Sequence, residues 1–323
     1  MISVIIPTYN GCEMLRKSLP TWFEQTLPQV EYEVIVVDNR STDDTRQMVE
    51  QLVAGKPNFH YLYEPKPGAT AARHAGTHIA KGEYLVFADN DGLFNPECLS
   101  SIIEVYEQNP GCSAVACKID IVWDGEEPDW IAPYKKQLGQ LNYGNVIRYD
   151  NRNRFYLNGG LMSVRKDVFE RLGGFNPDLI GPYLIGDGDL GFVNKLHAEN
   201  AVIGWAPKAQ MKHMQLVAKH GSKRGMALHF YNNGIADSYA KYRAQGFKMN
   251  GAMRKYMLVQ IGVLCKKWLQ HIVHPNNLKI YFAHKQHQGN VRFFVLLLNP
   301  ELRSEIRKEN VYDLSKTATD SRT

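Results

Sequence analysis

The sequence predicts an α/β fold: a Rossmann-like, mostly parallel sheet flanked by helices, followed by a helical extension. Three observations carry this. Short apolar runs alternate with amphipathic stretches through the first third of the chain. Each of three runs closes on a polar cluster: Pro7-Thr8-Tyr9-Asn10, Asp38-Asn39-Arg40-Ser41 and Asp89-Asn90-Asp91-Gly92. Residues 225–300 then show helical spacing throughout.

The elements follow in order. Residues 2–6 form an apolar run stopped by Pro7, as in a buried strand. Residues 12–24 place Met14, Leu15, Leu19, Trp22 and Phe23 at helical spacing. Residues 33–37 are a second strand closing on Asp38. Ser41-Thr42-Asp43-Asp44 reads as a helix start, with Met48, Leu52 and Val53 on its inner face. Residues 59–63 make a third strand, 69–80 a small-residue helix, and 84–88 a fourth strand closing on Asp89. Asn95-Pro96-Glu97 opens a helix through Ile102, Ile103, Val105 and Tyr106. A further strand is expected over residues 201–205.

The composition, 44% hydrophobic and 22% charged over 323 residues, excludes wholesale disorder and fibrous repeats. Five scattered cysteines and no Cys-x-x-Cys pair exclude a disulfide scaffold and a zinc ribbon. No run approaches the roughly 20 apolar residues that span a bilayer. The start, Met1-Ile2-Ser3-Val4, has no basic region of the export type, so a cytoplasmic location is expected. The net charge of +5 is unevenly spread. Residues 201–323 carry 20 Lys and Arg against 6 Asp and Glu, while residues 1–200 carry 18 against 27. Between Lys208 and Arg292 the only acidic residue is Asp237. Such a segment prefers an anionic partner, or is simply a solvated basic face.

Ligands of parallel α/β sheets bind beyond the carboxyl ends of the strands, where the three polar clusters stand. No Gly-x-Gly-x-x-Gly follows a strand and no P-loop signature occurs, which argues against a dinucleotide dehydrogenase and a P-loop NTPase. Two carboxylates in one tight turn, Asp89 and Asp91, suit a hard divalent cation shared with substrate phosphates, although Asp and Asn are also common in plain turns.

The motifs in order resemble family-2 glycosyltransferases of the GT-A fold. Val4-Ile5-Ile6-Pro7-Thr8-Tyr9-Asn10 is similar to that family's first strand and loop. Glu33-Val34-Ile35-Val36-Val37-Asp38-Asn39-Arg40-Ser41-Thr42-Asp43 is similar to its second. Residues 68–76, with Ala71-Ala72-Arg73, resemble the helix leading to the Asp-x-Asp strand. Asn158-Gly159-Gly160-Leu161-Met162 and Phe169-Glu170-Arg171-Leu172-Gly173-Gly174-Phe175 resemble the acceptor-side segment. Gly186-Asp187-Gly188-Asp189-Leu190 sits where the family shows Glu-Asp-x-Asp-Leu. The resemblance spans about residues 2–215.

It implies an inverting, metal-dependent transfer of a sugar from a nucleoside-diphosphate sugar, uridine favoured, with guanosine and thymidine open. Mn²⁺ or Mg²⁺ is expected on Asp91 with Asp89, and His213 is a further candidate ligand. Asp187 matches the general base and Asp189 is the alternative, unless it serves instead to open the following helix. Donor contacts are expected from Pro7, Tyr9, Asp38, Asn39, Arg73, Asp89 and Asn90. Trp123, Trp130, Asn158, Gly159 and Gly160 are acceptor-side candidates. The chain departs from the family pattern at Asn39, Gly92 and Gly186, where acids are usual, and this raises a non-catalytic nucleotide-sugar or glycan binder as the rival reading.

The implied organisation is a catalytic domain over 1–215 (donor half about 1–115, acceptor half about 116–215), a basic helical extension over 216–310 and a polar tail over 311–323. Gly221-Ser222-Lys223-Arg224-Gly225 reads as a flexible basic loop, able to close over a diphosphate. The acceptor is expected to be a glycan or lipid-linked, with an anionic membrane surface as a possible partner of the basic helices. Nucleic acid is not an expected partner, because no recognised module is present.

Overall fold

A computed structural model describes residues 1–180, 183, 184 and 186–307. In chain order the elements are β1 (Ile2–Thr8), α1 (Cys12–Ser18), β2 (Tyr32–Asp38), α2 (Thr45–Leu52), β3 (Phe59–Tyr63), α3 (Ala69–Ile79), β4 (Tyr84–Ala88), β5 (Gly92–Phe94), α4 (Cys98–Gln108), β6 (Ala114–Trp123), β7 (Arg148–Asp150), β8 (Leu161–Arg165), α5 (Lys166–Arg171), β9 (Leu179–Ile180), β10 (Tyr183–Leu184), α6 (Gly188–Ala198), β11 (Ile203–Gln215), α7 (Lys223–Ala244), α8 (Gly251–Val273), α9 (Leu278–Leu296) and α10 (Pro300–Ile306). The described residues form two compact units, 1–175 with 189–215, and 176–188 with 216–307. The polar tail expected over 311–323 lies outside the described residues.

The first unit is a nine-stranded sheet in the order β3-β2-β1-β4-β8-β6-β11-β5, with β7 added on β11. Strands β1, β2, β3 and β4 run parallel, and β1, β2 and β4 are the mainly apolar, buried runs of such a sheet. Strand β8 is antiparallel to both β4 and β6, and β6 pairs parallel with β11. Helices cover both faces and leave two apolar layers. One holds Ile6, Trp22, Val34, Val86 and Ile102, the other Ile5, Val37, Phe87, Phe169 and Trp205.

Several boundaries differ from the sequence reading. The first helix ends at Ser18, because Pro20 converts the chain to a 3-10 turn at Leu19–Trp22. Strand β1 continues through Pro7 to Thr8; its pairing with β4 ends at Ile5, so the missing N–H of Pro7 is tolerated. Helix α2 starts at Thr45, with Asp43 Oδ1 accepting from Thr45 N at 3.1 Å. The strand expected to end at 205 runs to Gln215. It is interrupted by an irregularity at 207–209, where Ala206 pairs with Cys117 and Gln210 with the next residue, Lys118. His213 therefore lies within a strand, not after one.

In the second unit α9 packs against both α7 and α8, around Tyr239, Tyr242, Phe247, Phe293 and Leu302. Helix starts are capped by Ser222, Asn250, Asn277 and Asn299, whose side-chain oxygens accept N–H groups of the first turn. Lys223 and Arg224 thus belong to the first turn of α7 and not to a flexible loop. Among the described residues no helix is long and apolar enough to cross a membrane.

Candidate active site

A cleft of about 240 Å³ opens at the carboxyl ends of β1, β2 and β4, lined by Pro7, Thr8, Tyr9, Asn39, Ala69, Asp89, Asn90 and Asp91. Six of these were expected donor-side or metal residues; Thr8 and Ala69 were missed. Thr8 belongs to the strand-end cluster Pro7-Thr8-Tyr9-Asn10. Ala69 is the first residue of α3, so the positive end of that helix adjoins the cleft. Tyr9 is 63% exposed and offers an open aromatic face.

The loops after β1 and β2 are locked together. Asn10 N donates to Ser41 Oγ at 2.9 Å, and Asn10 Oδ1 accepts from Thr42 N at 2.8 Å. Asn10 and Arg40 take left-handed backbone conformations, with φ 48° and 69°. Asp38 is buried: Oδ1 accepts from Ser41 N at 2.8 Å and Oδ2 from Tyr61 O–H at 2.7 Å. Burial first, then the Asp38 carboxylate, pushes the Tyr61 pKa up, so the phenol stays a donor. Asp38 thus fixes the loop after β2 without lining the cleft. Asn39 Nδ2 donates to Glu64 O and Lys66 O at 3.1 and 2.6 Å, and its Oδ1 accepts from Gly68 N at 2.8 Å. An amide both gives and accepts, and here it fastens the segment leading into α3.

Arg73, on α3, is buried. Its Nη2 lies 2.7 Å from Asp89 Oδ1 and 2.9 Å from Gly159 O. Asp89 N donates to Gly160 O at 3.0 Å, and Asn158 Oδ1 accepts from Gly160 N at 2.8 Å. Burial raises the Asp89 pKa above the usual carboxylate range; Arg73 opposes this, while the Asp91 and Asp189 charges add to it. Asn90 Nδ2 donates to Thr8 Oγ1 at 2.8 Å, tying the turn to β1.

Asp91 Oδ1 is buried and faces His213 Nε2 at 3.3 Å. Burial disfavours charge on His213, but the hydrogen bond and attraction of Asp91 outweigh it, and the imidazole pKa is raised. Among the described residues no three His, Cys, Asp or Glu side chains form a ready cage for a metal ion. Asp91 and His213 face each other, with Asp89 two residues earlier in the chain; carboxylate oxygens and an imidazole nitrogen are donors that Mn²⁺ accepts.

Asp189, in the first turn of α6, has both oxygens engaged: Oδ2 accepts from Gly159 N at 2.8 Å and Oδ1 from Leu190 N at 2.9 Å. Asp187 is buried and belongs to the second unit. Trp123 and Trp130 are half-buried and do not line the cleft; Trp123 ends β6, and the Trp130 ring is tilted against that of Tyr134, centroids 6.2 Å apart. In the same segment Tyr143 and Phe155 pack on each other at 4.7 Å, and Tyr143 meets Trp205 at 5.1 Å in the core. Two departures from the family pattern have steric reasons. A side chain at 92 would press on Met211 and Phe94, and one at 186 would overlap the Pro177 carbonyl.

Two solved glycosyltransferases share this architecture. S. aureus TarS (residues 1–349) superposes with a TM-score of 0.54 at 18% identity, covering 90% of this chain and 91% of that one. The mannosyltransferase PcManGT of Pyrobaculum calidifontis, solved with GDP-Man and Mn²⁺, gives 0.56 at 19% identity, covering 94% and 82%. The architecture is the GT-A fold of these enzymes. Residues 3–173 match the family described as Glycosyl transferase family 2, and the chain belongs to that family. Among curated relatives, the glycosyltransferase AglE of Haloferax volcanii is 41% identical over 91 residues, which is 28% of this chain and 30% of that one. An uncharacterized glycosyltransferase of Haemophilus influenzae is 29% identical over 187 residues, 55% and 58% of the two chains. The chain thus matches less than two thirds of the length of either relative.

Proposed function

We propose that this enzyme transfers a sugar from a nucleoside-diphosphate sugar, a UDP-sugar first, to a hydroxyl of a glycan or lipid-linked acceptor in polysaccharide assembly. In this reading transfer inverts the anomeric centre and takes place at the inner face of a membrane. The observation that carries it is the meeting of Asp89-Asn90-Asp91 with Pro7, Tyr9 and Asn39 in one cleft beside the start of α3. The donor class is supported by neighbours solved with UDP-GlcNAc and with GDP-Man; the latter keeps guanosine open.

Within this reading Tyr9 and Pro7 border the nucleoside, and Arg73 holds Asp89 in place. Asp91, Asp89 and His213 would hold Mn²⁺ or Mg²⁺, which neutralises charge on a departing diphosphate. Asp187 takes the proton of the acceptor hydroxyl, the role that its place in Gly186-Asp187-Gly188-Asp189-Leu190 implies. Asp189 instead sets Gly159 and the start of α6. Residues 1–215 form the catalytic domain, with 216–310 as its basic extension.

The test is thermal stabilisation by UDP, GDP, TDP and CMP with and without Mn²⁺, followed by release of nucleoside diphosphate from the matching sugar donor. A ligand at about 100 times its Kd stabilises by about 2.7 kcal/mol. A Mn²⁺-dependent shift with one diphosphate supports the donor site. A shift without any diphosphate release on acceptor addition would move the chain to a binding role, the reading that Gly92 and Gly186 favour.

A further inference from the structure

Helix α8 carries a surface that the donor cleft does not use. Of its 23 residues only Met253 and Gln260 are buried. Its inner side meets α9, where Gln260 Oε1 bonds His287 Nδ1 at 2.7 Å and Tyr256 O–H donates to Asn290 Oδ1 at 2.8 Å. The far side should be polar in a helix that faces water. Instead Leu258, Ile261, Cys265, Leu269 and Ile272 recur three or four residues apart, which at about 3.6 residues per turn draws one line along the helix. Leu258 is 64% exposed, Leu269 and Ile272 57% each, and Trp268 beside them 53%. A continuous exposed apolar stripe marks an interaction surface.

The charges around the stripe select its occupant. Helix α8 carries Arg254, Lys255, Lys266 and Lys267 and no acidic residue, and α9 has none either. The one acid between Lys208 and Arg292, Asp237, already accepts from Gln286 Nε2 at 3.0 Å. A second copy meeting this one α8 to α8 would bring four more cations and no carboxylate to meet them. An anionic lipid surface offers both hydrocarbon for the stripe and phosphates for the cations.

We propose that α8 lies in the headgroup–acyl boundary of an anionic bilayer, with Leu258, Ile261, Leu269 and Ile272 directed inward and Trp268 at the interface. The inference shares the membrane setting of the proposed function but rests on none of the donor-site chemistry. The same unit opens a groove of about 740 Å³ lined by Lys219, Arg224 and Lys285 among other residues, which adds to its preference for anions.

The test is flotation of the full chain with phosphatidylcholine vesicles and with phosphatidylcholine–phosphatidylglycerol vesicles, beside sedimentation without lipid. The chain should float with the anionic vesicles only, and raised salt should weaken the binding. Leu269→Glu with Ile272→Glu, both at exposed positions, should reduce it at least about tenfold, with the melting temperature and the nucleotide-induced shift unchanged. Absence of flotation, equal flotation with neutral vesicles, or a dimer that the double substitution splits would each overturn the proposal. Loss of the nucleotide shift in the unsubstituted chain would count against the donor site alone.

Discussion

Arg73 Nη2 reaches Asp89 Oδ1 at 2.7 Å and Gly159 O at 2.9 Å, so one guanidinium joins the turn after β4 to the segment that enters β8. Gly159 N in turn donates to Asp189. The two acids of the turn are therefore held differently. Asp89 is fixed by an ion pair from α3, whereas Asp91 faces His213 on β11.

Arg73→Ala should destabilise the protein by about 3 kcal/mol, the lower end for removing one partner of a buried pair, because 34% of the Asp89 side chain remains in contact with solvent. That corresponds to roughly 6–12 °C in melting temperature for a unit of this size. Adding Asp89→Asn should recover part of the loss. Additive losses in the double variant would show that the pair is not coupled.

Asn39→Asp installs the acid usual in family-2 enzymes, and should nevertheless weaken this one. A carboxylate cannot donate to Glu64 O and Lys66 O, and places charge against two carbonyls. The expected cost is about 2–3 kcal/mol, from two lost hydrogen bonds and their unsatisfied acceptors. Denaturant titration of the variant measures it; an unchanged midpoint would mean that the segment over 64–68 rearranges freely.

Asp91→Ala should leave the melting temperature within a few degrees and abolish the Mn²⁺-dependent part of diphosphate binding. Turnover should fall on the order of 10²–10³-fold, the usual effect of removing one preorganised electrostatic stabiliser. Full activity in metal-free buffer would place the chemistry elsewhere.

His74 provides a pH prediction. Burial, then the nearby positive charges of Lys195, Lys66 and Arg73, push its pKa down to about 3, and its Nε2 accepts from Phe175 N at 3.0 Å. The unfolded chain takes up this proton near pH 6.5, whereas the folded chain does so only near pH 3. The stabilisation is therefore complete above about pH 6.5 and is lost as the pH falls toward 3, at up to about 1.4 kcal/mol per pH unit. His74→Gln cannot titrate, so its stability should fall about 2 kcal/mol less than that of the parent between pH 6.5 and 4.5. Equal slopes would place the His74 pKa near its ordinary value.

The sequence was legible where burial alone decides the pattern. Strands β3 and β4 were read to the residue: β4, covered on both faces, is an unbroken apolar run, and β3, the half-buried edge strand, is a short aromatic-rich one. Strand β8 was not seen, because its place between β4 and β6 depends on pairing with residues 73 to 81 positions distant in one case and 46 to 50 in the other. The cleft was legible at the level of strand ends, and Pro7, Tyr9, Asn39, Asp89, Asn90 and Asp91 do meet there. The engagement of Asp38 with Tyr61 and of Asn39 with three backbone groups was not. Those partners come from β3 and the segment after it, and nothing in the local spacing around 38 and 39 specifies them.

The irregularity in β11 constrains how this gene can change length. Three residues, 207–209, stand between pairings that are adjacent on β6, and Asn95 secures them through Lys208 O and Gln210 N. Side chains alternate sides along a strand. Loss or gain of a single codon within 207–209 would turn every later residue of β11 over and swing His213 away from Asp91. Changes of two codons would preserve the phase. Descendants of this sequence should therefore tolerate paired length changes at that spot far more readily than single ones, and a deletion scan through 207–209 scored by melting temperature would reveal that two-step rhythm.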